Sequence, residues 1–340
     1  MDSLEEILNK PITMWMPFSE EEFKSSIIKC NNSLTPGPDK LLWKNLKVIV
    51  IDSTYLKNFI NIANACIILG YWPSQFKMSS FIIISKPNKA SYNSPNVFRP
   101  IVLINTLGKL IEKVINERIQ FQSISKNFIY PCQLGGLKQH STTNAEVTFT
   151  HLICVEYVIN LMMNTLAFDI AQFFPLLNHC LLPLISDKVC FDSKISIFFQ
   201  DYRVGRKMKY LWNNFSSPSF NVDIDVRQGS TLSPILSALY LSPIFDIFEK
   251  RLKDLKIPIY ILSFVDNSFF VAQKKSLTIS NSHLFCSYHI MSSFLDQFKL
   301  VTEHEKMEVF HFSRLHRTFN PPPLDLITLG SPILHAKETW

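Results

Sequence analysis

Ile259-Tyr260-Ile261-Leu262-Ser263-Phe264-Val265-Asp266-Asn267-Ser268-Phe269-Phe270-Val271-Ala272 is the stretch on which the reading of this chain turns. Two runs of aromatic and β-branched residues flank Asp266-Asn267-Ser268. Strand formers around a short polar segment predict a β-hairpin with an acidic tip. Upstream, Thr165-Leu166-Ala167-Phe168-Asp169-Ile170 reads as another strand, again closed by a carboxylate. Leu232 to Leu252 has the pattern of a long helix, with Ser233 and Pro234 at its start. Beyond the hairpin, Ile279 to Leu300 is helical and Glu308-Val309-Phe310-His311-Phe312 is a strand. Strand, helices, long helix, hairpin, helix, strand is the order of an α+β layer: a ferredoxin-like antiparallel sheet backed by helices.

The half of the chain before residue 165 is mostly helical. Ser19 to Leu34 places Phe23, Ile27, Ile28 and Leu34 on one face, and Thr35-Pro36-Gly37-Pro38-Asp39 ends that helix in a turn. Leu56 to Leu69 is an apolar helix stopped by Gly70. Phe81-Ile82-Ile83-Ile84 is a short apolar run, predicted to be a buried strand, with Lys86-Pro87-Asn88-Lys89 as the following loop and an extended Pro95 to Pro100. Thr106 to Ile119 is an amphipathic helix, and Ser141 to Ile159 is another, capped by Ser141 or Thr142.

Composition bounds the function. The 340 residues are 47% hydrophobic and 18% charged, too apolar for a disordered chain. There are only 8 glycines, and no two have the spacing of a P-loop or dinucleotide fingerprint, which excludes those sites. No run approaches the ~18 apolar residues of a membrane helix, and the acidic start (Asp2, Glu5, Glu6) is not a signal peptide. Seven cysteines without a C-x-x-C pair argue against zinc and against a disulfide framework, and predict scattered buried thiols in a reducing compartment. The net charge of +6 is unevenly spread. Lys77 to Arg118 carries a balance of +5, and Arg203, Arg206, Lys207 and Lys209 against Asp201 carry +3, a distribution suited to a polyanionic partner. Either cluster alone reads equally well as a solvated helix face.

Asp169 and Asp266 stand out by setting. Neighbouring strands lie ~4.8 Å apart, so two carboxylates at adjacent strand ends are able to share a divalent ion. Magnesium suits such a site, because it takes one or two carboxylates together with phosphates and water. Alone, each aspartate reads more readily as a turn or strand-end residue; together on adjacent strands they point to metal-assisted phosphoryl transfer.

Eight blocks in order then resemble one family, the reverse transcriptase domain of non-LTR (LINE-type) retrotransposons, with the fungal kind the expected source. They are Thr35-Pro36-Gly37-Pro38-Asp39; Ile84-Ser85-Lys86-Pro87; Phe98-Arg99-Pro100-Ile101 running on through Leu103 to Lys113; Gln133-Leu134-Gly135-Gly136; Ala167-Phe168-Asp169-Ile170 through Phe174; Arg227-Gln228-Gly229-Ser230 through Ser233-Pro234; Phe264-Val265-Asp266-Asn267; and Glu303-His304-Glu305-Lys306. Each is weak alone, and their shared order over residues 35 to 312 is what carries the resemblance.

The resemblance implies a right-hand polymerase made of fingers and palm: an approach segment over 1–34, fingers over 35–160, the palm over 161–320 with fingers helices interleaved, and an exit over 321–340 toward an absent or residual thumb. It implies two Mg²⁺ ions, with Mn²⁺ as a substitute, held by Asp169 and Asp266 beside Asn267. Lys86 and Arg99 would meet the incoming triphosphate, whose charge they offset. Phe174 would exclude a 2′ hydroxyl, Gln228 and Gly229 would contact nucleotide and template, and Lys306 would protonate the leaving pyrophosphate. Read without the family, Lys306 is a surface ion pair, Phe174 a core residue and Lys86 a loop cation. The implied partners are an RNA template, a DNA primer, deoxynucleoside triphosphates and a separate endonuclease, in the nucleus or cytoplasm, with no membrane.

Asn267 stands where relatives usually carry a second aspartate. Asparagine tolerates the turn, but the site then offers two carboxylates where relatives offer three. Losing one such contact commonly costs ~10²–10³ in rate. The competing reading is therefore a catalytically inactive element remnant, or a co-opted protein that binds RNA or an RNA–DNA hybrid.

Overall fold

The computed structural model describes residues 14–32, 35–88, 91–158, 161–171, 173–176, 192–212, 215–222, 229–312, 323–326, 333–334 and 336–339. In chain order the main elements are α1 (Glu20–Ile28), α2 (Trp43–Ile49), α3 (Ser53–Ile68), β1 (Met78–Ser85), β2 (Phe98–Ile104), α4 (Thr106–Ser125), α5 (Thr142–Val158), β3 (Met162–Asp169), α6 (Ser193–Arg203), β4 (Lys207–Trp212), β5 (Phe215–Ser216), β6 (Phe220–Asn221), α7 (Ser233–Asp254), β7 (Ile259–Phe264), β8 (Asn267–Lys274), α8 (Leu277–Gln297), β9 (Glu308–Phe312), β10 (Leu324–Asp325), β11 (Ile333–Leu334) and β12 (Ala336–Thr339). The fold is mixed α+β, as the periodicities predict. Among the described residues no helix is long and apolar enough to cross a membrane.

The chain divides into two compact units: Met1–Gln122 with Asn178–Leu236, and Ser123–Leu177 with Ser237–Trp340. In the first, β1 pairs antiparallel with β2 and parallel with β4, which also pairs with β5 and β6. Trp72 anchors the helical side, with ring contacts to Phe76 at 5.1 Å, Tyr202 at 5.4 Å and Phe198 at 5.7 Å. The Thr35–Asp39 block has a structural task. The Asp39 carboxylate accepts from the backbone N–H of Thr106 at 2.6 Å, so a distant turn caps α4. Gly37 fits there because a Cβ would lie 2.0 Å from the Ile104 carbonyl oxygen.

The second unit is built on the sheet β12-β9-β3-β8-β7. Alternation along β3 sorts its two faces. Asn164, Leu166 and Phe168 point into the helix layer, where Phe168 meets Phe270 at 4.9 Å and Tyr288 at 5.9 Å. Phe248 of α7 stacks on Phe270 at 5.0 Å. The other face begins with Met163, which packs with Val271 and Phe312 under Phe149, Leu152 and Ile153 of α5. Asp169 lies on that same face, about 20 Å further along the strand at ~3.3 Å per residue. One strand therefore buries apolar residues against α5 and carries its carboxylate to the far end.

Three expectations are corrected. The Phe81–Ile84 run is not a buried strand: β1 is longer, and Ile83 and Ile84 are 38% and 48% exposed. An apolar run implies cover on both faces, yet the outer part of this hairpin carries none among the described residues. The acidic hairpin turns at Val265-Asp266, so Asn267 is the first residue of β8 and not part of the tip. The thiols are not uniformly buried, since Cys30 and Cys66 are but Cys154 and Cys286 are exposed.

Candidate active site

Antiparallel pairing of β3 with β8 sets Asp169 directly opposite Asn267, and Asp266 immediately precedes it in the turn. Directly opposed residues project from one face with Cβ atoms ~4.5–5.5 Å apart, so this end of the sheet gathers Asp169, Asp266 and Asn267. Backbone contacts fix the end: Ile170 N–H donates to the Asp266 carbonyl at 3.2 Å, and Glu303 N–H donates to the Asp169 carbonyl at 2.7 Å.

The second of those contacts brings in the 3₁₀ turn His304–Lys306. Lys306 Nζ donates to Asp169 Oδ2 at 2.5 Å and lies 3.2 Å from Glu303 Oε2. Asp169 itself is 8% exposed, and its other oxygen, Oδ1, is buried with no hydrogen-bond partner among the described residues. Burial first, and then the adjacent Asp169 charge, hold the Asp266 carboxyl above the ordinary carboxylate range, with Lys306 pulling the other way. Burial would lower the Lys306 ammonium, but the hydrogen bond and charge of Asp169, joined by Glu303, outweigh it and raise its pKa. Asn267 is exposed, and its amide reaches Asp266 Oδ1 at 3.4 Å. An orphaned carboxylate oxygen beside a second carboxylate is a donor set short of positive charge, and it fits a divalent cation. Among the described residues no group of three or more histidines, cysteines or carboxylates could ligate a metal, so such an ion would draw its remaining ligands from phosphate and water.

The turn between β7 and β8 is strained. Val265 has φ +61°, the left-handed region that a β-branched residue avoids at a cost of ~1–3 kcal/mol. Gly135 packs against it so closely that a Cβ would lie 2.3 Å from the Val265 nitrogen. The Gln133–Gly136 block, which sequence reading quotes without a task, thus serves this turn. Phe174 sits in the helical turn Phe173–Leu176, partly exposed, its ring 5.6 Å from that of buried Phe173.

The remaining candidates belong to the first unit. Arg99 of β2 is exposed and opposes Ile84 of β1. Lys86 follows β1 and donates its backbone N–H to the Val97 carbonyl at 2.8 Å, which continues the alternation and puts Lys86 on the Arg99 face. Pairing of Ser80 with Lys209 and Met78 with Lys207 adds two further lysines to that face. Four cations drawn from the two basic clusters, Lys86, Arg99, Lys207 and Lys209, thus share one sheet face, and β1, β2 and β4 contain no acidic residue. Gly229 has φ +125°, and a Cβ on it would lie 2.5 Å from the Val102 carbonyl oxygen. Gln228 lies outside the described residues.

One group that sequence reading left without a role holds the Gly229 loop. Glu112 is fully buried and accepts from Tyr202 Oη and Ser230 Oγ, each at 2.7 Å, and from Thr231 N–H at 3.3 Å. Arg206, 1% exposed, stacks its guanidinium 4.0 Å above the Tyr202 ring and donates to the Tyr202 carbonyl at 2.8 Å. An acid beside the apolar Leu110, Ile111 and Ile115 of one helix is the signal that could have found Glu112.

Residues 84–333 match the family model described as reverse transcriptase (RNA-dependent DNA polymerase). The chain is 27% identical over 243 residues to the "Probable RNA-directed DNA polymerase from transposon X-element" of Drosophila melanogaster, covering 71% of this chain and 26% of that protein. It is 25% identical over 295 residues to the "RNA-directed DNA polymerase from mobile element jockey" of the same fly, covering 83% and 30%. A third match is the "Retrovirus-related Pol polyprotein from type-1 retrotransposable element R1" of Bradysia coprophila, 26% identical over 144 residues, 42% of this chain and 14% of that one. The chain thus spans less than a third of the length of these relatives. All three are insect proteins and lend no support to a fungal source.

Proposed function

This chain belongs to the reverse transcriptase family, and from that premise we propose that it is the RNA-directed DNA polymerase region of a LINE-type, non-LTR retroelement, its first unit the fingers and its second the palm. The observation that carries the proposal is the Asp169–Asp266 pair at one sheet end, with one oxygen orphaned and Lys306 alongside. Asp169 and Asp266 would hold magnesium, which when bound supplies charge neutralisation and Lewis acidity for nucleotidyl transfer. Asn267 adds a neutral oxygen where a third carboxylate would add charge.

The other roles follow from the chemistry of each group. Lys306 keeps its proton at neutral pH, as a donor to leaving pyrophosphate must. The partly exposed Phe174 ring suits exclusion of a ribose 2′ hydroxyl. Arg99 and Lys86 suit the triphosphate of a deoxynucleotide, and Lys207 and Lys209 extend the same face for phosphates of an RNA template. Gly229, without a side chain, lets backbone approach nucleotide or template, and Gln228 takes its part from the family pattern alone. A DNA primer completes the substrates, and an endonuclease on another chain or segment, acting in the nucleus or cytoplasm, completes the implied pathway.

The test is Mg²⁺-dependent extension of an oligo(dT) primer on poly(rA). Extension is expected in the parent and lost in Asp169→Ala; extension that survives Asp169→Ala refutes this site. A second reading, a remnant that binds RNA or hybrid without copying it, is favoured by one observation: the neutral Asn267 stands opposite Asp169. Hybrid binding without extension in the parent decides for it.

A further inference from the structure

Val265 is the residue between the β7 strand and Asp266, and its strained φ of +61° sets the direction in which Asp266 leaves the strand. Both of its backbone polar groups end on one side chain. Gln133 Oε1 accepts from Val265 N–H at 3.0 Å, and Gln133 Nε2 donates to the Val265 carbonyl at 3.3 Å. The same amide is itself fixed: Oε1 also accepts from Gly135 N–H at 3.1 Å, and Nε2 also donates to Ser263 Oγ at 3.1 Å. Gln133 is 1% exposed, so water does not compete for these bonds.

The segment that carries Gln133 is in turn bound to the edge of β7. Leu134 N–H donates to the Ser263 carbonyl at 2.7 Å, and Ser263 N–H donates to the Cys132 carbonyl at 2.9 Å. A buried amide on a paired backbone, meeting both the donor and the acceptor of a single turn residue, is a template for that residue's conformation. Valine on its own would abandon φ > 0; the four bonds of Gln133 make that departure leave buried polar groups unpaired.

We infer that Gln133 is a positioning residue: it clamps Val265 in the left-handed conformation and so aims Asp266 at Asp169. It touches neither substrate nor metal. The inference rests on the reading of Asp169 and Asp266 as a metal pair, and its consequence is that metal affinity depends on a side chain remote from the metal.

The experiment is Mn²⁺ titration followed by electron paramagnetic resonance, with no polymerase activity required. Gln133→Met keeps the volume and removes the four bonds, and it is expected to weaken Mn²⁺ binding about tenfold, as loss of a supporting hydrogen bond commonly does. Adding Val265→Gly to Gln133→Met is expected to recover most of that loss, because glycine adopts φ > 0 without a clamp. Unchanged affinity in Gln133→Met, or no recovery on adding Val265→Gly, overturns the inference. If Asp169→Ala binds Mn²⁺ as the parent does, the metal-pair reading fails instead. Amide exchange in the parent then still tests the clamp, and also does so if Gln133→Met does not fold. Val265 N–H exchanging about a hundredfold slower than a free amide supports it, and exchange at the free rate overturns it.

Discussion

The two hairpins that carry the candidate chemistry are built on opposite principles. The β1–β2 hairpin joins its strands through residues 86–97, and its outer part exposes Ile83, Ile84 and Arg99. The β7–β8 hairpin turns in two residues, Val265-Asp266, with a strained backbone and a buried glutamine on the turn. Cations that meet a triphosphate act through Coulomb attraction, which changes slowly over an ångström, so a long loop and an exposed tip serve. Carboxylates that share a small hard cation need oxygens held to a few tenths of an ångström. Of the two hairpins, β7–β8 carries the strained valine and the buried hydrogen bonds, and β1–β2 carries the open face.

The largest expected effect breaks the second hairpin's deficit. Asn267→Asp restores a third carboxylate opposite Asp169 and is expected to raise the Mg²⁺-dependent primer-extension rate about 10²-fold; equal rates would show that the missing charge is immaterial. Next, Lys86→Ala with Arg99→Ala is expected to raise the KM for deoxynucleotide about tenfold with a smaller change in kcat. That penalty should shrink as salt rises, because exposed charges are screened. The effect of Asp169→Ala should not depend on salt in this way, and a shared salt dependence would erase the contrast between the hairpins.

A smaller effect tests the sheet behind Asp169 and Asp266. His311, 1% exposed, is bonded through Nδ1 to Asn164 Oδ1 at 2.8 Å, and burial lowers its pKa from 6.5 to about 4. The unfolded chain therefore binds the proton first as pH falls. The stability due to neutral His311 is complete above about pH 7 and is lost as pH drops toward 4, by about 2 kcal/mol between pH 7 and 5. Urea midpoints at the two pH values should show this drop in the parent, and a drop smaller by that amount in His311→Leu. The smallest effect is Val265→Gly alone. Relief of the turn offsets the entropy of glycine, so stability should stay within about 1 kcal/mol of the parent, whereas a loss well beyond that would mean the valine side chain packs more than it strains.

Much of this fold was legible in the chain. The amphipathic period of α4, the strand β9 and the long α7 fall where the residue patterns put them, because a helix or strand face is declared by neighbours a few residues apart, whereas α5 is helical as expected but not amphipathic, with Val147 and Val158 exposed. The turn was read one residue late, at Asp266-Asn267-Ser268. Asparagine and aspartate are the expected occupants of φ > 0, and nothing local announces that a valine takes it. The clamp on that valine comes from a side chain 132 positions away. Glu112 is one of two acids, with Glu117, in a basic stretch, and its partners Tyr202 and Ser230 lie 90 and 118 positions on. The family blocks contain Gln133, Gly135 and Glu112 and give none of them a task.

By itself the sequence marked most of the helices, the acidic hairpin and the strand that ends in Asp169, while Lys306, Lys86 and Arg99 were singled out only by the family resemblance. Only the tertiary structure decided that Asp169 faces Asn267, that Lys306 reaches Asp169, that Lys86, Arg99, Lys207 and Lys209 share one sheet face, and that strain falls on Val265. Local conformation follows from short-range periodicity, which a chain carries in its own spelling. The meeting of charges depends on strand order and register, and β9-β3-β8 is an order set by which apolar faces pack best, a property of the whole fold.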